Sequence, residues 1–158
     1  MNRCRRFFVK ILTVSLLYLV THEVFAHPCS DVDRSLTESQ KASLAPAVES
    51  HMKTQFDAGL FTLIMVQQND VLGMFRAGGW YIVHVDNHAT DDPYLFYSTD
   101  PTRASHYVGA WGGGAAADEE PEIQAWLTNE MPGIPKALAR CFAWYVTKGI
   151  GWEAADEH

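Results

Sequence analysis

Residues 71–97 read VLGMFRAGGWYIVHVDNHATDDPYLFY and contain the turn chemistry that decides the fold. Two runs rich in strand-forming residues, Val71–Phe75 and Trp80–Val85, are separated by Gly78 and Gly79. Glycine adopts the positive φ angles that a tight hairpin turn requires. The stretch therefore predicts a β-hairpin.

Further strand-like runs follow the hairpin. Asn87–Pro93 is a cluster of turn residues, and Tyr94–Tyr97 after it is a third apolar, aromatic run. Ser105–Trp111 is a fourth strand candidate, which the glycine run Gly112–Gly114 ends. Consecutive short strands joined by turn residues predict an antiparallel meander of three or four strands.

Helical signals precede the strands. Ser35-x-x-Glu38 and Thr37-x-x-Gln40 are overlapping capping-box patterns, which predict that a helix begins here. Pro46 then either interrupts this helix or begins a second one as its first residue.

An apolar stripe with helical spacing follows Pro46. Val48, Met52 and Phe56 recur four residues apart, and Gly59 is a helix-ending residue. The run 60–66 is apolar throughout, so its periodicity is consistent with either a buried strand or a further helical turn.

Two more helices are predicted after the strands. Asp118–Glu120 and Pro121 are typical of a first helical turn, and Pro132–Pro135 ends that helix. The last helix is expected from about Pro135 to Lys148. The apolar faces of the two helices comprise Ile123, Trp126 and Leu127, and then Leu138, Cys141, Phe142, Tyr145 and Val146. This element order predicts an α+β domain at 27–150, a two-layer fold in which N- and C-terminal helices cover the meander, with a polar tail at 151–158.

The first 26 residues have the pattern of a secretory signal peptide. A basic head of three Arg and one Lys precedes an apolar run at 11–20, and small residues allow cleavage after Ala26. The alternative is a membrane anchor, but the run is shorter than the ~20 residues that a spanning helix needs. We expect an exported protein, periplasmic or secreted, with no integral membrane segment after cleavage.

The leader also bears on the export route. Cys4–Lys10 reads CRRFFVK, which resembles the twin-arginine leader pattern of a polar residue before RR-x-F-L-K. That resemblance implies export of an already folded protein, often with its cofactor. The strongly apolar run that follows favours the general route instead.

The charge balance excludes one class of partner. The chain carries a net charge of −7, and removal of the basic leader makes the remainder more acidic. Nucleic-acid binding needs a basic stripe, so no nucleic-acid partner is expected.

Cysteine usage indicates a disulfide. Cys4 leaves with the leader, and Cys29 and Cys141 remain as a pair in an exported domain. The alternative is two buried free thiols.

Common catalytic motifs are absent from the sequence. Gly112–Gly114 precedes a helix but lacks the Lys and the Ser or Thr of a phosphate-binding loop, and acidic residues follow. There is no G-x-S-x-G, H-E-x-x-H or paired-cysteine zinc pattern. A non-catalytic protein is therefore favoured over an enzyme.

Two candidate metal sites remain. His84, Asp86 and His88 would share one face of a continued strand, where two imidazoles and a carboxylate suit Zn or Cu, or acid–base work. If the strand ends near Asp86, these residues are ordinary turn residues. His27 would become the new N-terminus, where its amine and imidazole suit copper; the alternative is an incidental first residue.

Aromatic residues supply a candidate binding face. Trp80, Tyr94, Tyr107 and Trp111 lie on predicted strands, where exposed aromatic rings would mark a surface for a protein or a small ligand. The alternative is that these rings pack in the core.

The sequence therefore favours a small exported, non-catalytic binding or interaction protein of inhibitor or immunity type in the periplasm. The first alternative is a metal-binding protein or metal-assisted enzyme that uses His84, Asp86 and His88. The second is a structural subunit of an envelope assembly.

Overall fold

A computed structural model describes residues 27–55 and 63–149. The helices and strands are α1 (Glu38–Gln55), β1 (Val71–Ala77), β2 (Trp80–Val85), β3 (Tyr94–Tyr97), β4 (Tyr107–Trp111), α2 (Glu120–Glu130) and α3 (Lys136–Trp144). A π-helical turn, Tyr145–Gly149, follows α3. The predicted leader at 1–26, Phe56, Gly59 and the tail at 151–158 lie outside the described residues.

The four strands form the predicted antiparallel meander, in the order β1-β2-β3-β4. Gly78 and Gly79 have φ angles of 55° and 87°, and Ala77 pairs with Trp80 across the turn. Positive φ at both central positions is the hairpin geometry that glycine permits at low cost. The hairpin prediction is therefore confirmed.

Helices cover both faces of the sheet. Neighbouring strand residues alternate between two apolar clusters: Val83 packs in the cluster of α1, and Ile82 in the cluster of α2 and α3. The predicted α+β class with helices flanking the meander is confirmed. The N- and C-terminal helices lie on opposite faces, so the sheet lies between two helical layers, where two layers in all were predicted.

Helix α1 begins at the predicted capping box. The Gln40 N–H donates to Thr37 Oγ1 at 3.2 Å, and the Thr37 N–H donates to Gln40 Oε1 at 2.8 Å. The prediction that Pro46 ends or begins a helix is wrong, because α1 continues through it. Pro46 removes one hydrogen bond to the carbonyl of Ala42, and both residues are exposed, so water can solvate that carbonyl.

The described part of the ambiguous apolar run, 63–66, is neither a sheet strand nor a helix. Ile64 and Val66 are buried, whereas Leu63 and Met65 are exposed. The Val66 N–H donates to Glu49 Oε2 at 2.9 Å, so a side chain of α1 replaces the sheet partner. This segment thus closes the α1 face without joining the sheet.

A disulfide ties the N-terminal segment to α3. The Sγ atoms of Cys29 and Cys141 are at bonding distance, 2.10 Å, and both residues are buried. The predicted pairing is confirmed, and it is compatible with an exported protein. Within 27–55 and 63–149, no helix has the length and apolarity needed to cross a membrane.

Candidate functional site

A row of paired residues crosses the sheet near one end. His84 of β2 pairs with Tyr94 of β3, which pairs with Trp111 of β4. The His84 and Tyr94 rings stack at 4.0 Å with an interplanar angle of 10°, and the Tyr94 and Trp111 centroids are 5.8 Å apart. Strand pairing alone therefore gathers an imidazole and two large aromatic rings.

The alternation of β2 explains why His84 lies here. Trp80 and Ile82 point to the face covered by α2 and α3, and His84 follows two residues later. His84 is half-buried, unlike Trp80 and Ile82. Burial lowers the pKa of His84, and the nearby Asp92 carboxylate partly offsets that effect, so His84 favours its neutral form.

This row forms one wall of a cleft of about 540 Å³. The lining residues are His84, Thr90, Asp91, Asp92, Tyr94, Trp111, Gly113, Gly114 and Tyr145. The loop between β2 and β3 supplies the two carboxylates, and the turn after α3 supplies Tyr145. The cleft thus combines aromatic walls with an acidic rim.

A second cleft, of about 280 Å³, lies beside the first. Its lining residues are Trp111, Gly112, Gly114, Ala115, Glu119, Glu122, Ile123 and Trp126. Trp111 and Gly114 line both clefts, and each cleft contains two acidic residues. We refer to the two clefts together as the Trp111 groove.

The glycine run Gly112–Gly114 keeps the groove open. A methyl group built on any of these three glycines would meet no atom of the described residues within 4 Å, its chain neighbours aside, so their backbone faces open space. Gly113 has a φ angle of 105°, which disfavours other residues there. The run therefore shapes the groove and exposes its backbone.

The predicted metal set does not assemble as a whole. β2 ends at Val85, and His88 has a φ angle of 58°, so the chain turns before His88 can share a face with His84. Asp86 and His88 instead group with Asp70, with ligand atoms within 4.8 Å of one another, and His84 is not part of that group. Asp70 was missed because its proximity depends on the pairing of β1 with β2.

The Asp70–Asp86–His88 group consists of one imidazole between two carboxylates. His88 Nε2 lies 3.1 Å from Asp70 Oδ2, and His88 Nδ1 lies 3.4 Å from Asp86 Oδ1. The two ring nitrogens thus face different carboxylates. One ligand atom from each of the three residues lies within 4.8 Å of the other two, so the group could also hold a divalent cation.

His27 is engaged within the fold. The Cys29 N–H donates to His27 Nδ1 at 3.2 Å, and the ring packs edge-on against Trp144 at 4.4 Å. A copper site built on His27 would have to displace a contact if it used this nitrogen.

The predicted aromatic face is divided by the fold. Trp80 is 7% exposed and packs in the core, and Tyr107 packs against His51 in the α1 cluster on the opposite face. Tyr94 is 4% exposed and packs in the same core as Trp80, whereas Trp111 beside it is half-buried; both line the groove with His84. The structure therefore joins one predicted metal ligand to two predicted face residues.

The acidic residues of the groove were not predicted as site residues. Asp91 and Asp92 have the pattern of turn residues, and Glu119 that of a helix start. The register of the hairpins could have placed His84 beside Tyr94. The segments that carry Asp91, Asp92 and Glu119 approach Trp111 only in the folded chain, and no local sequence pattern indicates that approach.

A buried histidine on the opposite face was also not predicted. His51 is 4% exposed, its Nδ1 lies 3.0 Å from the hydroxyl of Tyr97, and the Tyr107 ring packs edge-on at 4.3 Å. Its Nε2 is buried and has no hydrogen-bond partner among the described residues. Burial lowers the pKa of His51 and raises that of Tyr97, so both groups favour their neutral forms.

Comparison of the chain with protein-family models, curated proteins and solved structures finds no match.

Proposed function

We propose that this protein is a small exported, non-catalytic binding protein of inhibitor or immunity type in the periplasm, and that the Trp111 groove receives its partner protein. The observation that carries the proposal is the groove itself: two adjoining clefts with aromatic walls and acidic rims. Aromatic rings beside a few placed polar groups are typical of recognition surfaces.

The chemistry of the groove favours binding over catalysis. The described residues that line it include neither Ser nor Cys. His84 stacks flat on Tyr94, an arrangement that buries one ring face, and the nearby carboxylates Asp91 and Asp92 are exposed. Exposed carboxylates can bind a cationic partner by charge complementarity. A stacked imidazole beside them does not form the nucleophile-and-base pair that covalent catalysis needs.

Two features support export. The predicted leader at 1–26 has the basic head, apolar run and cleavage residues of a signal peptide. The Cys29–Cys141 disulfide is the kind of cross-link that persists in an oxidising compartment.

The proposal is tested by capture from the cell envelope. Residues 27–158 are immobilised beside Gly114→Leu, which adds an apolar side chain where both clefts meet. Ala42→Leu adds the same side chain to an exposed position of α1 and serves as the matched control. We expect one envelope protein on the wild type and on Ala42→Leu, and its loss on Gly114→Leu. Equal capture by all three proteins would exclude the groove as the binding surface.

A second candidate function, metal binding, is favoured by the Asp70–Asp86–His88 group. A carboxylate-rich set with one imidazole suits Zn or another divalent transition metal. Elemental analysis of protein purified without chelator tests this, with His88→Gln as the variant. About one equivalent of metal in the wild type, lost in His88→Gln, would support it. Metal-free wild-type protein that takes up no added zinc would exclude it.

A further inference from the structure

We infer that the Trp111 groove binds an extended, basic segment of the partner protein, which places an Arg or Lys side chain on each side of Trp111. This inference rests on the proposed function and specifies the chemistry of the partner. Its evidence is the charge of the groove, its aromatic walls and the strand edge beside it.

The charge of the groove is negative on both sides of Trp111. Asp91 and Asp92 line the larger cleft, and Glu119 and Glu122 line the smaller one. Among the described residues that line either cleft there is no Lys or Arg. The acidic side chains therefore suit a cationic partner, and the net charge of −7 of the whole chain adds long-range attraction.

The hydrogen bond that Glu119 makes within the fold still leaves its carboxylate able to bind a cation. Glu119 Oε2 accepts the N–H of Ala116 at 2.7 Å, which fixes the carboxylate at the rim. A carboxylate has a second oxygen and further lone pairs, so this contact still allows a bidentate guanidinium.

The aromatic walls suit the same cations. Trp111 lines both clefts and Trp126 lies with it in the smaller one; both are half-buried, whereas Tyr94 is 4% exposed and its ring is stacked on His84. Cations bind over aromatic faces, most strongly over Trp. The fold already uses this contact internally, because the Arg34 guanidinium lies 4.6 Å from the ring centroid of Tyr145.

The strand edge favours a peptide over a small polyamine. Within the described residues, β4 pairs only with β3, so its other side is an edge of the sheet. β4 ends at Trp111, where the exposed backbone of Gly112–Gly114 continues into the groove. An extended peptide can pair with such an edge while its alternate side chains enter pockets on one face.

The experiment uses the peptide Ac-Arg-Gly-Arg-Gly-Arg-NH2 and its counterpart with Gln at the three Arg positions. Binding to residues 27–158 is measured by calorimetry at low and at moderate salt. We expect the Arg peptide to bind at least tenfold more tightly than the Gln peptide, with weaker binding at higher salt. Affinities of the two peptides within twofold of each other would overturn the inference.

Two double variants test the two clefts separately. One variant combines Asp91→Asn with Asp92→Asn, and the other combines Glu119→Gln with Glu122→Gln. Each should lower the affinity for the Arg peptide by roughly 2- to 30-fold, because exposed ion pairs are individually weak. An effect confined to one pair would overturn the placement of a cation on each side of Trp111. The amide variants keep the shapes of the side chains, so they also decide the question if Gly114→Leu fails to fold.

Spermidine distinguishes a peptide from a small polycation. We expect it to bind more weakly than the Arg peptide, because it cannot pair with the edge of β4. Equal affinity, lost in the same double variants, would make the groove a polyamine site and overturn the peptide inference. Groove-dependent envelope capture without any preference for Arg would refute this inference and leave the proposed function standing.

Discussion

The two faces of the sheet are built from the same strands, yet they differ in how far they open. The α1 face, with clefts of about 220 and 90 Å³ against its strands, is the more closed, and the other opens into the Trp111 groove. On the α1 face, Val83, Leu95 and Tyr97 are all at most 3% exposed, and the segment 63–66 adds to the cover. On the other face, α3 covers Ile82 and Phe96, but His84 at the end of the sheet is half-buried. Alternation within a strand thus assigns residues to faces, and the elements that cover each face decide how far a position stays accessible.

The largest expected change in stability compares the core of the face covered by α2 and α3 with the groove at its end. Trp80→Ala should lower the free energy of unfolding by roughly 3–5 kcal/mol, because Trp80 packs in the core. Trp111→Ala should cost clearly less, because Trp111 is half-buried. Urea unfolding measures both. Similar losses in the two variants would contradict the distinction between core and groove.

The next effect concerns the disulfide, which cross-links only the face of α2 and α3. Replacing both Cys29 and Cys141 with Ala should lower the free energy of unfolding by about 2–4 kcal/mol, since the bridge spans 112 residues of sequence. Hydrogen exchange should rise first in α3, while α1 keeps its protection. Uniform loss of protection in both helices would show that the two faces unfold together.

The α1 face should respond to acid through His51. Its pKa is lowered in the folded protein, so as the pH falls below the unfolded value of ~6.5 the unfolded chain takes up its proton first. Stability from the neutral imidazole is present above pH ~6.5 and is lost as the pH falls through the lower folded pKa.

The measurement is urea unfolding between neutral and mildly acidic pH. His51→Gln should reduce the pH slope, which for one such group is at most about 1.36 kcal/mol per pH unit. Burial lowers the pKa of His84 as well, so His84→Gln is measured in parallel to separate the two histidines. An unchanged slope in His51→Gln would mean that His51 does not titrate differently in the folded and unfolded states.

The smallest expected effect lies in the glycine run of the groove. Gly114→Ala should change the free energy of unfolding by less than ~1 kcal/mol, because its added methyl group meets no atom of the described residues within 4 Å, its chain neighbours aside. Gly113→Ala should cost ~1–2 kcal/mol, because Gly113 has a φ angle of 105°. Thermal unfolding compares them. A marked loss in Gly114→Ala would indicate that the groove is more tightly packed than its geometry implies.

Local chemistry allowed much of the fold to be predicted. Gly78 and Gly79 specify the hairpin through their own φ angles, and Thr37 and Gln40 cap α1 through side chains only three residues apart. The pairing of Cys29 with Cys141 followed from their number once the leader is removed. The hairpin and the helix cap depend only on residues close together in the sequence, and the disulfide depends only on the number of cysteines.

Tertiary contacts determined the structure at two positions where local sequence rules were insufficient. Pro46 was predicted to mark a helix boundary, but it lies on an exposed side of α1, where one lost hydrogen bond is tolerated. The sequence left two positions open for His88, a strand face shared with His84 or the turn after Asp86; the chain turns after Val85 and brings His88 to Asp70. Both outcomes depend on contacts that neighbouring residues in the sequence do not specify.

The sequence by itself determined the α+β class, the meander, the hairpin turn and the cysteine pair, because propensity, alternation and turn chemistry act over a few residues. Only the tertiary structure decided that acidic residues lie on both sides of the row formed by His84, Tyr94 and Trp111. The groove requires residues of the 87–93 and 112–119 segments to lie beside Trp111. Their positions depend on packing between parts of the chain that are distant in sequence, so no single stretch of sequence specifies them.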